Sequence, residues 1–223
     1  MKLATRLFTA AMIAAVAAPS VQAQDNVVKL GVTRYTTHSS SNGLTATPPV
    51  FPASADAETG DATTLLLVLE RSLTPNLGIE LALGVPPRID AKGTGAAAAL
   101  GDPLLSVKNV SPTLLVNYYF GDPVNALRPY LGAGINYTKF TDMRSSLPTS
   151  KLEMSDSWGW AVQAGLSYAV SKEWGLFASV TRLDVKTDVD AIASIPGVPV
   201  PVEVKTSIDL KPITYSLGLW YRF

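Results

Sequence analysis

The strongest constraint on this chain is an alternation of large apolar and small residues with a period of two. In residues 77–85 the large apolar side chains occupy every second position, with glycine, alanine or glutamate between them. The same alternation runs through residues 158–170 and 213–223. Because successive side chains of a strand point to opposite faces, each segment predicts a strand with one apolar face. Weaker alternation predicts five further strands, at residues 27–37, 63–73, 112–120, 129–140 and 174–188.

The links between these eight segments alternate strictly between short and long. The short links are residues 74–76, 121–128 and 171–173. The long links, rich in glycine, proline, serine and alanine, are residues 38–62, 86–111, 141–156 and 189–206. Outer-membrane barrels have this asymmetry, with short periplasmic turns, long external loops and both termini in the periplasm. The pattern therefore favours an up-and-down barrel, of either the membrane or the lipocalin-like soluble kind.

The two faces of the predicted strands decide between these barrels. One face is leucine, valine, isoleucine and aromatic, and the other is mostly glycine, alanine, serine, threonine, asparagine and glutamine. A soluble barrel needs bulky side chains inside, whereas a membrane barrel presents them to lipid. Apolar residues make up 47% of the chain, yet no apolar run suits a mature spanning helix. We predict an all-β fold, an eight-stranded antiparallel up-and-down transmembrane β-barrel.

Aromatic residues on the apolar face fall at the ends of the predicted strands. With both termini in the periplasm, these residues form two girdles at the membrane interfaces. The periplasmic girdle is predicted to comprise Tyr118, Phe120, Tyr168, Trp174, Tyr221 and Phe223. The outer girdle is predicted to comprise Tyr137, Trp158 and Trp160.

The N-terminus has the layout of a secretory signal peptide. Lys2 and Arg6 precede an apolar run over residues 7–18, and Val21-Gln22-Ala23 ends in a small-residue cleavage site. The run is too short to span a bilayer. We therefore predict a signal peptide at residues 1–23, one barrel domain at residues 24–223, and export to a Gram-negative outer membrane.

Strand parity also assigns the residues that point into the barrel. Five large inward side chains predict an apolar lumen, although plain filling of a narrow barrel remains open: Leu66, Val68, Leu115, Phe177 and Trp220. Four inward charges cluster at the periplasmic end, where we expect them to pair because buried charges are costly alone: Lys29, Glu70, Glu80 and Arg222. Our hypothesis is that these four form an ionic floor, with a network that only adds stability as the alternative. Cargo above such a floor would leave sideways into lipid, and Pro212 marks a candidate weak point in the wall.

Several other classes of function are excluded or disfavoured. With 18 basic and 18 acidic residues the chain has no basic field for nucleic acid. It has no cysteine and one histidine, so no metal or cofactor is predicted, although Asp61, Asp188 and Asp190 leave open a calcium site in the outer loops. His38, beside two serines in a loop, is not expected to be catalytic. The glutamate pair is expected to be structural, and we predict that the protein is not an enzyme.

Three segments resemble the OmpW family of small outer-membrane barrels. They are Arg128-Pro129-Tyr130-Leu131-Gly132-Ala133-Gly134-Ile135-Asn136-Tyr137-Thr138-Lys139-Phe140, the run Ser111-Pro112-Thr113-Leu114-Leu115-Val116-Asn117-Tyr118-Tyr119-Phe120, and the ending Gly218-Leu219-Trp220-Tyr221-Arg222-Phe223. The terminal Phe223, with Tyr221 two residues before it, also resembles the signal that barrel-assembly machinery recognises in many outer-membrane proteins.

The resemblance implies a narrow barrel whose hydrophobic lumen admits small apolar molecules, embedded in outer-membrane lipid and lipopolysaccharide. We accordingly predict passive uptake of small hydrophobic molecules with lateral release into the membrane. The alternative is a surface protein without transport, acting as a bacteriocin or phage receptor, an adhesion element or a membrane stabiliser.

Overall fold

The computed structural model describes residues 26–37, 39–41, 45–49, 55–95, 97–98, 102–195 and 198–223. The predicted signal peptide and His38 lie outside the described residues. Within them, no helix has the length and apolar character that crossing a membrane requires. The strands, numbered in chain order, are β1 (Asn26–Thr36), β2 (Ser39–Ser41), β3 (Thr45–Thr47), β4 (Ala55–Thr59), β5 (Ala62–Thr74), β6 (Leu77–Gly84), β7 (Arg88–Gly95), β8 (Leu105–Val110), β9 (Thr113–Tyr119), β10 (Leu127–Ser145), β11 (Thr149–Met154), β12 (Ser157–Ala169), β13 (Trp174–Leu183), β14 (Val185–Ala193), β15 (Val202–Leu210) and β16 (Ile213–Arg222).

Eight of these strands close into a barrel. Their order around the wall is β12, β13, β16, β1, β5, β6, β9 and β10, and β10 pairs with β12 to complete the ring. Every pairing between neighbours is antiparallel. This arrangement confirms the predicted fold class, and each predicted strand corresponds to one strand of the ring.

The wall separates an apolar outside from a small and polar inside. Leu131 and Leu217 point outward with 54% and 60% of their surface exposed, as expected for side chains that contact lipid. Asn117, Asn136 and Thr138 point inward and are fully buried. Inward glycines leave room for the large inward rings. A Cβ atom on Gly165, for example, would lie 2.3 Å from the Tyr130 ring.

Exposed aromatic side chains stand at both ends of the barrel wall. Near the short turns the rings of Tyr118 and Phe120 meet edge to face at 5.1 Å, and Tyr221 stacks on Phe223 at 6.4 Å. Trp174 is the register partner of Tyr221, while Phe120, Tyr168 and Trp174 are also exposed. At the opposite end the rings of Tyr137 and Trp158 lie 4.7 Å apart, and Trp160 is exposed beside them on β12.

The outer ends of the strands continue into further strands, which differs from the long loops expected there. A sheet of β4, β7, β8 and the upper half of β10 extends one side of the wall. A second sheet consists of β11, β14, β15 and β2, with β3 also paired to β15. The segment predicted as one strand over 174–188 is divided at Asp184 into β13 and β14. Inward apolar residues of these extensions pack into one core, which includes Ile89, Val107, Phe140 and Leu210. Their burial explains why segments rich in glycine and proline still form strands.

Candidate functional site

A buried ion-pair cluster crosses the barrel near its short-turn end. Glu70 on β5 and Glu80 on β6 face each other across the ladder. Lys29 on β1 lies between the two carboxylates, with Nζ 2.6 Å from Glu70 Oε2 and 2.8 Å from Glu80 Oε2. The three side chains are no more than 4% exposed. Two carboxylates therefore share one ammonium group inside the wall.

Neutral side chains from other strands complete the hydrogen bonding of the carboxylates. The Tyr119 hydroxyl donates to Glu70 Oε2 at 2.7 Å. Asn117 Nδ2 donates to Glu80 Oε2 at 2.9 Å, and Gln163 Nε2 donates to Glu80 Oε1 at 3.3 Å. Burying a carboxylate costs much free energy unless partners of this kind replace the water it has lost. We call Lys29, Glu70, Glu80 and these three donors the polar floor.

Aromatic rings surround the ammonium group of the polar floor. Lys29 Nζ lies 5.2 Å from the ring centroid of Tyr130, 5.6 Å from Phe177 and 6.0 Å from Tyr119. Faces of aromatic rings attract cations at such distances. The fourth charge of the predicted ionic floor, Arg222, is placed below the other three, with its guanidinium 5.4 Å from the Trp220 ring centroid.

The polar floor separates two cavities, and Lys29 lines both. The lumen above it is a cavity of about 40 Å³, which is room for roughly three water molecules. Four of the five predicted lumen residues line this cavity, namely Leu66, Val68, Leu115 and Phe177. The vestibule below is a wider space of about 810 Å³, lined by Trp220, Arg128 and Arg222. The fifth predicted residue, Trp220, thus lies on the far side of the floor from the other four.

A separate apolar pocket lies at the outer end of the barrel. It is lined by core side chains of the outer strands, including Ile89, Phe140, Met154 and Val185. Tyr35 on β1 lines both this outer pocket and the lumen. The Tyr35 side chain therefore lies at the boundary between the two spaces.

The barrel wall has a stretch without cross-strand hydrogen bonds beside the lumen. The ladder between β6 and β9 stops at the pair Ala82 and Thr113, and the next bond joins Asn109 N to Pro87 O at 3.1 Å. Between these points, across residues 83–86 and 110–112 of the described chain, no backbone hydrogen bond joins the two segments. Three prolines around this stretch have no N–H to donate: Pro86, Pro87 and Pro112. Gly84 and Ser111, on either side of it, line the lumen.

The prediction of a weak point in the wall at Pro212 is wrong. The Pro212 carbonyl accepts a hydrogen bond from Leu183 N at 3.0 Å, and pairing resumes at once above it between Val185 and Leu210. The missing N–H of Pro212 therefore leaves no gap in the wall, because the pairs on both sides of it are kept.

The other candidate sites have structural partners. Asp61 pairs with Arg34 at 3.0 Å, and Asp188 accepts a hydrogen bond from the Ser207 hydroxyl at 2.6 Å. Within the described part of the chain, no three histidine, cysteine, aspartate or glutamate side chains are grouped so as to hold a metal ion. These observations favour a role in holding the outer strands together.

Sequence reasoning missed several residues of this site, and the same parity rule could have found them. Tyr35 shares the inward face of β1 with Lys29, six residues and therefore three periods of the alternation further along the strand. Tyr130 and Gln163 lie inward on β10 and β12. The alternation shows which residues point inward but not how high along the barrel each one lies. The stagger between strands decides that height, and so which inward residues meet.

Comparison with known proteins agrees with this architecture. The sequence profile of the OmpW family matches residues 22–223. The chain belongs to the OmpW family. The resemblance carried by the residues of β9, β10 and β16 is thereby confirmed, and the protein is an outer-membrane barrel of this family.

Individual relatives of the OmpW family cover most of the chain. Outer membrane protein W of Salmonella typhi is 36% identical over 166 residues, which are 72% of this chain and 73% of that protein. Outer membrane protein AlkL of Ectopseudomonas oleovorans is 31% identical over 169 residues, 76% of this chain and 70% of that protein. The crystal structure of the outer membrane protein OprG from Pseudomonas aeruginosa superposes with a TM-score of 0.81 and 25% identity, covering 91% of this chain and 97% of that one.

Proposed function

We propose that this barrel takes up small apolar molecules from outside the cell and releases them sideways into the outer membrane. One observation carries the proposal, namely that an apolar outer pocket stands above a lumen whose lower end is closed by buried charges. An apolar molecule gains free energy on leaving water for the pocket but has no favourable path through the polar floor. The predicted signal peptide, residues 1–23, is the proposed means of export.

Entry from the outer pocket into the lumen requires the Tyr35 ring to move. Tyr35 lies between the two spaces, and both are too small in this structure to hold a cargo of several carbons. A tyrosine rotates about two side-chain bonds, and in this proposal a rotamer change of Tyr35 connects the pocket and the lumen. Tyr35 therefore acts, in this proposal, as the gate.

Exit is proposed at the stretch between β6 and β9 that has no ladder bonds. We call this stretch the seam. Widening the wall at the seam breaks no backbone hydrogen bond between the two segments, whereas separating any other pair of neighbouring ring strands in the described residues would break several. The hydroxyl of Tyr35 lies 3.6 Å from the position of a Cβ atom on Gly84, so the gate is next to this seam. The seam is level with Tyr137, whose amide donates to Pro112 O at 3.1 Å, at the outer aromatic rim. A molecule leaving there would enter the outer leaflet.

Uptake of a radiolabelled alkane by liposomes containing the refolded protein tests this function. The protein has no cysteine, so a disulfide can be introduced cleanly across the seam as Leu83→Cys/Pro112→Cys. We expect uptake above that of empty liposomes, loss of uptake on oxidation, and recovery on reduction. The matched control is Leu69→Cys/Leu81→Cys, a directly paired position on the β5–β6 ladder that closes no seam.

Two outcomes would overturn parts of the proposal. Uptake equal to that of empty liposomes would favour the surface protein without transport. Uptake that persists in the oxidised seam variant, with the disulfide verified, would refute the lateral exit. Tyr35→Ala should accelerate uptake because it joins the two spaces, and Tyr215→Ala, a tyrosine exposed on the lipid face, should leave it unchanged.

A further inference from the structure

Four cations form a patch on the outside of the extended wall, above the outer aromatic rim. Arg88 on β7 and Lys108 on β8 are register partners, and Lys108 in turn pairs with Thr141 on β10. Lys139 and Arg144 lie on β10 to either side of that position. The intervening side chains Ile89, Val107 and Phe140 point inward to the core, so the cations face outward. We call Arg88, Lys108, Lys139 and Arg144 the outer basic patch.

One carboxylate, that of Asp142, holds three of the four cations of the patch together. Asp142 sits at the bulge in β10 with a φ of 48° and makes ion pairs with Arg88, Lys108 and Arg144. The Lys108 contact, then those of Arg144 and Arg88, lower the pKa of Asp142 below its ordinary value of 3.8. Lys139 pairs with Asp156 at 3.2 Å, and Asp90 accepts from the Ser106 hydroxyl at 2.5 Å. Four cations thus stand among three carboxylates, and three of the four converge on one.

The position of the patch relative to the membrane is set by the outer aromatic rim. Tyr137 marks the interface, and its ring packs on Trp158. The next outward residues of β10 are Lys139 and then Thr141, which is level with Lys108. With about 3.3 Å per residue and a strand tilt of about 40°, Thr141 lies roughly 10 Å above Tyr137. Lysine and arginine side chains can reach back over part of that distance toward the interface.

We propose that the outer basic patch binds phosphate groups of lipopolysaccharide in the outer leaflet. Guanidinium groups offer paired N–H donors to a phosphate, and lysine supplies a mobile point charge. The carboxylate of Asp142 holds the three converging cations within reach of one another, so that a phosphate meets a preformed group of donors. A free phosphate has the same chemistry, and the experiment separates the two sources.

The test measures lipid binding to the refolded protein in detergent by native mass spectrometry, with a chelator present to remove divalent cations. The probes are bisphosphorylated lipid A, fully dephosphorylated lipid A and inorganic phosphate. The test variant is Lys108→Ala/Lys139→Ala/Arg144→Ala, which leaves Arg88 to hold Asp142. The control variant is Lys92→Ala/Lys151→Ala/Lys205→Ala, whose lysines are each paired with one carboxylate higher in the outer strands. Exposure is matched, at 45% to 68% for the test cations and 43% to 64% for the control cations.

We expect the protein to prefer bisphosphorylated over dephosphorylated lipid A, and the test variant to lose about tenfold in affinity while the control loses less than about twofold. Equal loss in both variants, or no preference for the phosphorylated lipid, overturns the proposal. Displacement of lipid A by equimolar inorganic phosphate overturns its lipid part. If the triple variant does not refold, Arg144→Ala alone, the most exposed of the four, gives the same comparison.

Discussion

Removing Lys29 from the polar floor should destabilise the barrel far more than removing the whole charged cluster. In Lys29→Met, Glu70 and Glu80 would be left almost fully buried with no counter-ion between them. Removing one partner of a buried pair costs about 3–5 kcal/mol, because the remaining charge has lost both water and its partner. This is a fall of roughly 150-fold or more in the folding equilibrium constant.

The triple variant Lys29→Met/Glu70→Gln/Glu80→Gln should cost less than about 1 kcal/mol. Glutamine keeps an oxygen for the donors Tyr119 and Asn117, and no charge remains to be solvated. Removing the two glutamate charges should thus restore the stability lost in Lys29→Met. A loss of packing at Lys29 alone cannot explain such a restoration.

Equilibrium unfolding in guanidinium chloride, with the barrel in lipid vesicles and tryptophan fluorescence as the probe, measures both variants. Lys139→Met is the control, since Lys139 is 52% exposed in its ion pair with Asp156 and should cost at most about 1 kcal/mol. If Lys29→Met costs no more than Lys139→Met, the floor is solvated and the reasoning is refuted. If the triple variant is as unstable as Lys29→Met, the cost belongs to packing and not to charge.

Three further predictions follow from the same geometry. In planar bilayers Glu70→Gln/Glu80→Gln should raise the ion conductance, because the carboxylates no longer hold the floor together; unchanged conductance would speak against a floor that seals the lumen. Gly78→Ala should lower the free energy of unfolding by about 1–3 kcal/mol, because its Cβ would lie 2.5 Å from Glu70 Oε1. The control Gly84→Ala, whose Cβ would have its nearest contact at 3.6 Å, should change that free energy by less than about 0.5 kcal/mol. Asp142 should titrate below pH 3.8 in an NMR titration and move up toward that value in the triple variant of the outer basic patch, because Lys108 and Arg144, two of its three cationic partners, are gone and only Arg88 remains. An unchanged titration would show that these two cations do not contact Asp142 in solution.

The sequence predicted the eight barrel strands because lipid imposes one simple rule on every strand. Each lipid-facing residue of β6, β12 and β16 must be apolar, whatever its neighbours, so the alternation survives along the whole strand. The outer strands obey no such rule. Residues such as Lys92 and Asp90 on β7 face water, and only the buried partners Ile89 and Val107 keep the alternation. Segments of this kind look like loops until their partners are known.

The polar floor could be predicted only in outline. Parity places Lys29, Glu70 and Glu80 inside, and the tight turn after β5 fixes the two glutamates opposite each other. That Lys29 reaches both, while Arg222 lies lower against Trp220, depends on the stagger of β1 against β5 and β16. The stagger is a property of the closed ring, which no single strand contains.

The proposed uptake of apolar molecules links two features of this barrel, the polar floor and the unpaired stretch between β6 and β9. In the proposed uptake, the floor of buried charges opposes the passage of an apolar molecule to the periplasm, so such a molecule would need another exit. An exit through a ladder of hydrogen bonds is unfavourable in lipid, because each broken bond leaves backbone groups without partners. The seam between β6 and β9 avoids this cost, since Pro86, Pro87 and Pro112 have already removed the donors. The buried charges of the polar floor and the three prolines of the wall are therefore both consistent with the proposed lateral exit.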